Sequence, residues 1–440
     1  MTLWYNQILN AADMPYQDVN FGCQSQAVAD RYIHDFRIDV DSFGGPELCK
    51  SEIDTKKLLN DINIIENGHF ENSAQNNLIK GFIDSTNYYG WMKQQTYGVA
   101  RGNDVPYATA YNSGGYFTMQ DGWAKSSTLG RVGVFVHEAR HTEGYRHIVC
   151  NQGTYQGTSV LGCDRDYNYG GSHAVEMEYY ARVAVQGTNF HPVYKKMARL
   201  MAIARSNIFF NTSPLQTREG LLALSMDRKQ AFMFDRGQWL QRELPEAVGK
   251  LKRTSFGAVL FDGVKALAIE LYQNSGFKDA VTDTYSYYKL LIESKEESKE
   301  FEEFDSGFKR YVIRITNDNK LAAYNFPNGA WGAEQQIPFD VVKTTTSIPG
   351  MDKSGIFLLT NSGQIYAYQP DSQRLVSQVG SWDFNNVQVV RFQNENLILK
   401  NNGQIYRQTD QKLEPWVEAK LPYSDVVTVP LYDAFEVVKE

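Results

Sequence analysis

Alternating apolar and polar positions dominate the second half of the chain. Residues 355–369 (GIFLLTNSGQIYAYQ) and 395–409 (ENLILKNNGQIYRQT) each place an apolar run before an Asn/Ser/Gly turn and an alternating stretch after it. This pattern is typical of a β-hairpin. Similar patterns occur in RYVIRITNDNKLAAYN (310–325), LLALSMDRKQAFMFD (221–235) and GAVLFDGVKALAIEL (257–271). The second half is therefore predicted to repeat one β-rich unit.

The spacing of these hairpins predicts how the repeats are arranged. Their turns recur about every 35 to 55 residues, and a β-propeller has about 40 to 50 residues per blade. We therefore predict an all-β domain over residues 213–440, a five-bladed β-propeller whose ring is closed by residues 425–438 against the first blade. A β-sandwich with irregular repeats is the alternative. The charged run at residues 287–307 is interpreted as a solvated helix or loop.

The first half has no such repeat. Residues 75–95 and 191–210 show helical spacing of apolar positions, whereas residues 105–120 read as two strands around an Asn-Ser-Gly-Gly turn. We predict a mixed α+β domain over residues 1–212. The boundary to the second domain is expected within NTSPLQTREG, residues 211–220.

Composition and charge argue against some classes of binding partner. The 440 residues carry a formal net charge of -7, and no segment is rich in Lys and Arg. Nucleic acid is not expected as a partner, because its binding needs a basic surface. No apolar run approaches the roughly 20 residues of a transmembrane helix. Residues 1–20 lack the pattern of a signal peptide, which is either absent or already removed.

The cysteines suggest an oxidising compartment. All four of them, Cys23, Cys49, Cys150 and Cys163, lie in the first 163 residues. Two disulfides are compatible with this count, and the pairing of Cys23 with Cys49 and of Cys150 with Cys163 is one of the three ways to connect four cysteines. Four reduced thiols in the core are the alternative. An exported protein, whether secreted, periplasmic or at the cell surface, fits the disulfide interpretation.

Residues 133–150 (GVFVHEARHTEGYRHIVC) hold three of the seven histidines. Ser126 and Ser127 offer a helix N-cap before this segment, and apolar residues from Val132 to Ala139 recur at the spacing of one buried helical face. We therefore predict a buried helix that carries the first histidines of the segment.

The spacing of the polar residues in this helix fits a metal site. His137 and His141 are four residues apart and project from one side of the helix, as two ligands of one metal must. Glu138 lies beside them and could act on a water molecule without binding the metal. Gly144 can end the helix in a left-handed turn, after which the chain can return with His147 as a third ligand.

These residues have the form HExxHxxGxxH over residues 137–147, which resembles the metzincin zinc metallopeptidases. The resemblance implies that His137, His141 and His147 bind one catalytic Zn²⁺. It also implies that Glu138 is the general base that activates water for hydrolysis of a peptide bond. The match covers about a dozen residues, and all five specified positions agree.

Other features of the family are less clear in this chain. Met177 and Tyr179 have the M-x-Y spacing that looks like the Met-turn of some metzincins, in which the tyrosine can bind zinc or stabilise the transition state. An ordinary core methionine is the alternative. Gluzincin peptidases use a glutamate from a later helix as the third ligand, so Glu176 or Glu178 is a rival to His147.

Several neighbours of the motif are candidates for supporting roles. A disulfide between Cys150 and Cys163 would brace the glycine-rich loop that follows the third histidine. Asp164 and Asp166 are candidate acceptors for a zinc-bound imidazole, although solvated loop carboxylates are the alternative. Among the other histidines, His34, His69 and His191 have no ligand spacing, and His173 is kept as a contributor to the active site. By analogy with the fold, an extended substrate would pair with a strand within residues 107–119.

The sequence therefore predicts a zinc-dependent peptidase with an attached propeller that assists the binding of a substrate or partner. One alternative is a binding protein, whose propeller recognises a protein or glycan ligand and whose zinc site is idle or structural. The presence of Glu138 argues for activity, because a purely structural zinc site normally has four protein ligands. A second alternative is a zinc hydrolase that acts on bonds other than peptide bonds.

Overall fold

The structure is a computed structural model that describes most of the chain in two compact units. The described residues are 23–49, 54–71, 76–83, 86–105, 108–124, 126–151, 156–190, 192–244, 249–254, 257–263, 266–269, 281–283, 298–305, 310–325, 330–350, 354–409 and 412–433. The main division lies between Leu215 and Gln216. We call the two parts the N-terminal unit and the C-terminal unit.

The N-terminal unit contains helices and short strands. Its described helices are α1 (Gln26–Phe36), α2 (Asp54–Asn67), α3 (Tyr88–Gln95), α4 (Asp121–Ala124), α5 (Thr128–Thr142), α6 (Ser172–Val185) and α7 (Pro192–Ile208). Its described strands are β1 (Gly98–Arg101), β2 (Ala110–Ser113), β3 (Tyr116–Met119), β4 (Ile148–Val149) and β5 (Leu161–Cys163). None of the helices that the structure describes is long and apolar enough to span a membrane.

The strands of this unit form two small sheets. In the first sheet, β3 lies in the centre, parallel to β1 and antiparallel to β2. In the second sheet, β4 pairs with β5 alone among the described strands. The strand β2 is therefore an edge strand of the first sheet.

Helix α5 begins and ends where its sequence predicts. The Ser127 side chain accepts a hydrogen bond from the Gly130 amide at 3.2 Å, which satisfies one of the donors that a helix start leaves free. The helix ends at Thr142, and Gly144 has φ of 91°. This left-handed conformation is accessible to glycine at little cost, so the chain can turn back at Gly144.

Residues 75–95 are less helical than predicted. Helix α3 covers only the end of this range, and residues 76–83 are not helical. The reason is tertiary, because the buried carboxylate of Glu178 accepts hydrogen bonds from the backbone amides of Lys80 and Gly81. These amides would otherwise serve a helix. By contrast, α7 and the pair β2 and β3 agree with the elements predicted around them.

The structure contains two disulfides, which join Cys23 to Cys49 and Cys150 to Cys163. Among the described residues, no cysteine is left free. The Cys150–Cys163 bridge lies at the β4–β5 ladder, in which Cys163 pairs with Ile148. It therefore braces the chain directly after His147.

The C-terminal unit is formed by β-strands. They are β6 (Thr217–Ser225), β7 (Gln230–Asp235), β8 (Gln238–Glu243), β9 (Lys250–Thr254), β10 (Gly257–Phe261), β11 (Ala266–Ile269), β12 (Val281–Asp283), β13 (Ser298–Asp305), β14 (Arg310–Thr316), β15 (Lys320–Asn325), β16 (Ala330–Trp331), β17 (Gln335–Gln336), β18 (Val341–Thr345), β19 (Ile356–Thr360), β20 (Gln364–Gln369), β21 (Arg374–Ser381), β22 (Asn386–Phe392), β23 (Glu395–Lys400), β24 (Ile405–Thr409), β25 (Lys412–Pro415) and β26 (Tyr423–Tyr432).

These strands form several small sheets. Their orders are β9 to β12, β13 to β16 with β17 beside β15, β18 to β21, β22 to β25, and a sheet that runs β26, β6, β7, β8. The pairing of β26 with β6 is antiparallel and joins the last strand to the first one of the unit. The predicted pairing of the chain end with the first repeat is thus confirmed, with Tyr423–Tyr432 as the strand. Residues 434–438 of the predicted segment lie outside the described residues.

Neighbouring sheets pack through their apolar faces. Ile313 and Ile315 of β14 pack in one core cluster with Ile356 and Leu358 of β19. Phe357 and Leu359, on the same strand, belong to a second cluster that contains Val389 and Ile398 of the next sheet. Because successive strand residues point to opposite faces, one strand joins the cores on both sides of its sheet. The molecule as a whole is mostly β, with several small sheets.

The two most similar repeats agree in backbone detail. Gly363 and Gly403 occupy the same place in their hairpins, and both have φ of 81°. The carbonyl of Gly363 accepts a hydrogen bond from the Trp382 amide, and that of Gly403 accepts one from the Tyr423 amide, each at 2.7 Å. The shared turn pattern therefore builds the same local structure in two sheets.

The interpretation of residues 287–307 as a solvated helix or loop is wrong for the part that the structure describes. Residues 298–305 form β13, in which Glu300, Glu302 and Glu303 are buried. Burial is tolerated because Lys252 lies 2.9 Å from Glu300 and 3.2 Å from Glu302. Sequence spacing does not reveal this partner, which is on β9. Residues 287–297 lie outside the described part of the chain.

Candidate metal centre

The centre of the candidate site is the C-terminal half of α5, which is buried. His137 is 8% exposed and Glu138 4%. The Nε2 atoms of His137 and His141 are 3.2 Å apart, as their spacing on one helical face predicts. The helix therefore presents two imidazole nitrogens to one point.

The turn at Gly144 brings the third histidine to the same point. Nε2 of His147 lies 3.0 Å from Nε2 of His137. The rings of His141 and His147 are also close, with centroids 4.6 Å apart. The structure thus brings together all three histidines of the motif, and their Nε2 atoms converge.

The other nitrogen of each ring faces an acceptor. Nδ1 of His141 lies 2.5 Å from the Tyr145 carbonyl and 3.0 Å from Ser172 Oγ. Nδ1 of His147 lies 3.1 Å from Asp164 Oδ1. Nδ1 of His137 lies 3.3 Å from Glu176 Oε2. A carbonyl and carboxylates can only accept, so these contacts favour the tautomer with the proton on Nδ1 and a free lone pair on Nε2.

Burial favours the neutral form of two of these imidazoles, His137 and His141. Burial lowers the pKa of His137, an effect that outweighs its contact with Glu176. Burial, together with the neighbouring His137 and His147, lowers the pKa of His141 to about 2. Neutral imidazole is the form that binds a metal ion.

Of the two candidate aspartates, only Asp164 is at the site. It follows Cys163 directly, and its second oxygen accepts a hydrogen bond from the Ala174 amide at 3.1 Å. Burial disfavours its charge, but the His147 hydrogen bond and the nearby imidazoles hold its pKa below the usual value. Asp166 instead caps a short 3₁₀ turn through the Tyr169 amide and pairs with Arg165.

Glu138 follows His137 directly on α5, and its side chain is buried. Its Oε2 is buried and has no hydrogen-bond partner among the described residues. Burial, reinforced by the charge of Glu176, raises the pKa of Glu138 to about 8. A cation at the three Nε2 atoms would lower this pKa, because it stabilises the carboxylate. The helix thus holds a carboxylate with an unused acceptor.

The rival ligands Glu176 and Glu178 have other partners. Oε1 of Glu176 accepts from Arg205 at 2.8 Å and from the Tyr180 hydroxyl at 3.0 Å, whereas Oε2 faces the Nδ1 side of His137. Glu178 binds backbone amides and Arg182. Neither carboxylate is directed at the convergent Nε2 atoms by these contacts.

His173 is buried and belongs to the same cluster. One nitrogen each of His137, His147 and His173 lie within 4.8 Å of one another, so these three form an alternative ligand set. However, Nε2 of His173 lies 3.1 Å from the Gly162 carbonyl, which can only accept, and this nitrogen must therefore carry a proton. The His173 ring stacks on His147 at 4.5 Å and on Phe209 at 4.1 Å. These contacts favour a role for His173 in packing around the cluster rather than as a metal ligand.

The sequence did not identify the support around the histidines. No sequence spacing relates Arg205 and Phe209 to the histidines, because these residues lie at and just after the end of α7, far along the chain. The spacing of His173 and Glu176 at i and i+3 on α6 is the one sequence signal that could have pointed to a shared face.

The Met-turn prediction at Met177 is wrong. Met177 lies inside the continuous helix α6, where its neighbours have helical rather than turn geometry, and it is fully buried. Tyr179 lies on the same helix, and its ring contacts Phe70 and Tyr88 at centroid distances of 6.0 and 4.9 Å. No described contact brings Tyr179 to the histidines. Both residues pack in the core of the N-terminal unit.

Within the predicted substrate strand, β2 is the segment beside the site. The Asn112 side-chain amide donates to the Glu138 carbonyl at 2.5 Å and to Thr142 Oγ1 at 2.8 Å. These bonds tie the edge strand to α5. The remaining histidines that lack ligand spacing, His34 and His69, are exposed, and His191 lies outside the described residues.

The C-terminal unit contains a different buried polar cluster. Nζ of Lys252 lies 2.9 Å from Glu300 and 3.2 Å from Glu302, and donates to Thr344 Oγ1 at 3.1 Å. These residues come from β9, β13 and β18, which are the first strands of their sheets. A small cavity beside the cluster, of about 20 Å³, is also lined by β22 and β26. That space holds about one water molecule.

Comparison with known proteins adds little. No family model matches the chain, and no curated protein matches it. Among solved structures, BBS1N in complex with ARL6DN matches 46% of this chain and 64% of its own, with a TM-score of 0.26 and 11% identity. AztD from Citrobacter koseri matches 52% and 64%, with a TM-score of 0.23 and 8% identity. BamB from Moraxella catarrhalis matches 44% and 61%, with a TM-score of 0.21 and 9% identity.

The chain thus spans less than two thirds of the length of each of these structures. TM-scores this low support no conclusion on the fold or function of this protein.

Proposed function

We propose that this protein is a zinc-dependent peptidase with a metzincin-like site in its N-terminal α+β unit. The observation that carries the proposal is the orientation of three imidazoles. Nε2 of His137 lies 3.2 Å from Nε2 of His141 and 3.0 Å from Nε2 of His147, and the Nδ1 atom of each ring faces an acceptor.

The donor set fits zinc. Nitrogen ligands about 2.0 to 2.1 Å from a tetrahedral zinc lie about 3.3 Å from one another. The two Nε2 separations of 3.2 and 3.0 Å in the structure are within a few tenths of an ångström of that value. Three imidazoles leave one position open, as in catalytic rather than structural zinc sites. When bound here, zinc would supply Lewis acidity that polarises a carbonyl and makes water more acidic.

The residues of the chain supply the proton transfer. Glu138 follows His137 on α5, and its free Oε2 is available to accept a proton from water and deliver it to the leaving amine. Its buried position limits competition from solvent. A role for Tyr179 in the transition state has no support from its contacts with Phe70 and Tyr88.

We propose that an extended peptide pairs with the edge strand β2. Its Asn112 is hydrogen-bonded to α5 beside Glu138, so a peptide added to this edge would pass near the histidines. An unpaired edge offers backbone hydrogen bonds that do not depend on substrate sequence.

For the C-terminal unit we propose a five-bladed β-propeller that presents a face to a protein or glycan ligand. Support comes from the strand order, because each sheet consists of consecutive antiparallel strands and β26 completes the sheet that β6 begins. A β-sandwich would instead arrange these strands in two large sheets. One strand from each of the five sheets lines the same small cavity, as expected around a propeller axis; these strands are β9, β13, β18, β22 and β26.

We also propose that the protein is exported, to the exterior, the periplasm or the cell surface. Two disulfides are typical of proteins from oxidising compartments.

Metal analysis combined with a peptide-library digest tests the function. The full-length protein is expected to hold one Zn²⁺ and to cleave peptides, and His147→Ala is expected to lose both properties. Stoichiometric zinc without cleavage of peptides would favour the binding protein with an idle site, or a hydrolase of other bonds. Retention of zinc by His147→Ala would overturn the proposed ligand set.

A further inference from the structure

The two oxygens of the Glu176 carboxylate face different neighbours. Its Oε1 accepts from Arg205 Nε at 2.9 Å, Arg205 Nη2 at 2.8 Å and the Tyr180 hydroxyl at 3.0 Å. Its Oε2 lies 3.3 Å from His137 Nδ1 and 3.5 Å from His173 Nδ1. Glu176 is only 1% exposed, so its charge depends on these neighbours for stabilisation.

The ion pair between Arg205 and Glu176 fixes the carboxylate in one orientation. The guanidinium presents two donors to a single oxygen, and burial strengthens this interaction. Burial alone would raise the pKa of Glu176. Arg205 and the two neighbouring imidazoles outweigh this effect and hold the pKa well below its usual value. The second oxygen is thereby left pointing at His137.

The end of α7 supports the site in two further ways. Phe209 stacks on the His173 ring at 4.1 Å, and its carbonyl accepts a hydrogen bond from the Asp164 amide at 2.8 Å. Arg205 and Phe209 lie one helical turn apart. The same stretch of chain thus contacts the partners of both His137 and His147.

We propose that Glu176, held by Arg205, is a positioning residue that selects the tautomer and orientation of His137 for metal binding. This inference rests on the proposed zinc site. Nδ1 of His137 is not aligned for a hydrogen bond with Oε2 of Glu176, but the negative charge 3.3 Å away favours a proton on this nitrogen. The lone pair is then on Nε2, the nitrogen that would bind the metal. Partners of this kind typically contribute about 10- to 100-fold to metal affinity.

The substitution Glu176→Gln separates positioning from bulk. Glutamine has nearly the same shape, but one end of its amide is a donor. If that end faces His137, it meets the Nδ1 proton; if it faces Arg205 and Tyr180, it meets their donors. Either orientation removes one of the two acceptors that the site requires.

Glu178→Gln is the matched control. Glu178 is also 1% exposed, lies two residues along the same helix and pairs with an arginine, at 2.8 Å from Arg182. Its other partners are backbone amides away from the histidines. Both substitutions therefore remove a buried carboxylate from α6, but only one of them faces a proposed ligand.

The experiment measures the Zn²⁺ affinity of the full-length variants by competition with a chromophoric chelator. The Co²⁺ absorption spectrum of each variant and the thermal stability of the metal-free proteins are recorded as well. Glu176→Gln is expected to bind Zn²⁺ about 10- to 100-fold more weakly, with an altered Co²⁺ spectrum. Glu178→Gln is expected to match the wild type in both measurements, even where its stability falls. Arg205→Met keeps Glu176 but removes the ion pair that orients it, and we expect a smaller loss of Zn²⁺ affinity in this variant. It replaces Glu176→Gln if that variant does not fold.

The possible failures are distinguishable. No Zn²⁺ binding by the wild type would reject the proposed function itself. Wild-type affinity in both Glu176→Gln and Arg205→Met would reject only the positioning role. Equal losses of affinity in Glu176→Gln and Glu178→Gln would also reject it, because the effect would then follow from helix stability.

Discussion

The N-terminal and C-terminal units each contain a buried polar cluster, and these two clusters are arranged in opposite ways. In the C-terminal unit, Lys252 lies between Glu300 and Glu302, with Thr344 as a further acceptor. Donors and acceptors there face inward and satisfy one another. In the N-terminal unit, Asp164 and Glu176 lie outside the histidines and face their Nδ1 atoms. The Nε2 lone pairs are directed at a common point.

The difference separates a cluster whose charges compensate one another from a cluster whose geometry would suit a bound cation. Three lone pairs directed together repel one another, so this arrangement has no benefit for folding alone. A lysine between two carboxylates is compensated within the cluster. The outer carboxylates of the histidine cluster stabilise the one tautomer in which the lone pairs meet, which is the arrangement that a cation requires.

The largest expected effect concerns Glu138. Glu138→Gln keeps the three imidazoles but removes the base, so peptide hydrolysis should fall by about 10²- to 10⁴-fold. Turnover of a peptide substrate is the measurement, with zinc content measured on the same samples as the control. Hydrolysis at the wild-type rate, with one zinc still bound, would show that Glu138 is not the base.

The next effect concerns Lys252, for which Lys250 provides the control. Lys252→Met leaves Glu300 and Glu302 without their shared partner and should destabilise the C-terminal unit by about 3 to 5 kcal/mol. Lys250 also pairs with Glu300, but its side chain is 52% exposed, so Lys250→Met should cost about 1 kcal/mol or less. Denaturant unfolding measures the loss in free energy of unfolding for both variants. Hydrogen exchange in β9, β13 and β18 shows whether the loss is located in these strands. Equal stabilities of the two variants would contradict the role of burial.

A smaller effect is expected at Asp164. Asp164→Asn should weaken Zn²⁺ binding by about 10- to 100-fold, because an amide cannot accept from His147 and from the Ala174 backbone with equal strength. Asp166→Asn is the control, since Asp166 binds the Tyr169 amide and Arg165 instead. Chelator competition measures both affinities. A loss in Asp166→Asn as large as in Asp164→Asn would mean that the loop, rather than the contact with His147, determines the affinity.

The smallest expected effect is the response of the C-terminal unit to acid. Burial disfavours the charge of Glu300, but Lys252 and Lys250 more than compensate and lower its pKa below the ordinary value of 4.5. A carboxyl group whose pKa is lowered on folding stabilises the fold above the pKa of the unfolded state, and this stabilisation is lost as the pH falls through the folded-state pKa. Denaturant unfolding from pH 6 to pH 3 should therefore show a decline that begins near pH 4.5. The combined Lys252→Met, Glu300→Gln and Glu302→Gln variant should show a flatter profile, and an unchanged slope would contradict the assignment.

The local parts of the site could be predicted from sequence. His137 and His141 lie on one face of α5 because four residues span about one helical turn. Gly144 ends the helix because it can adopt positive φ. The local disulfide between Cys150 and Cys163 and the repeated turns at Gly363 and Gly403 are also short-range features. Each of them depends on residues that are neighbours along the chain.

The parts that could not be predicted depend on distant residues. Asp164, Glu176 and Arg205 acquire their roles because folding brings three chain segments around one cluster. Met177 fits a spacing pattern but lies in a helix, and the charged residues 298–305 form a buried strand because Lys252 faces them. The sequence by itself determined the three candidate ligands and the helix that carries two of them, since backbone geometry and helical period act over a few residues. Only the tertiary structure decided which carboxylates face the imidazoles and which charges are neutralised, because such choices depend on desolvation and on contacts between segments far apart in sequence.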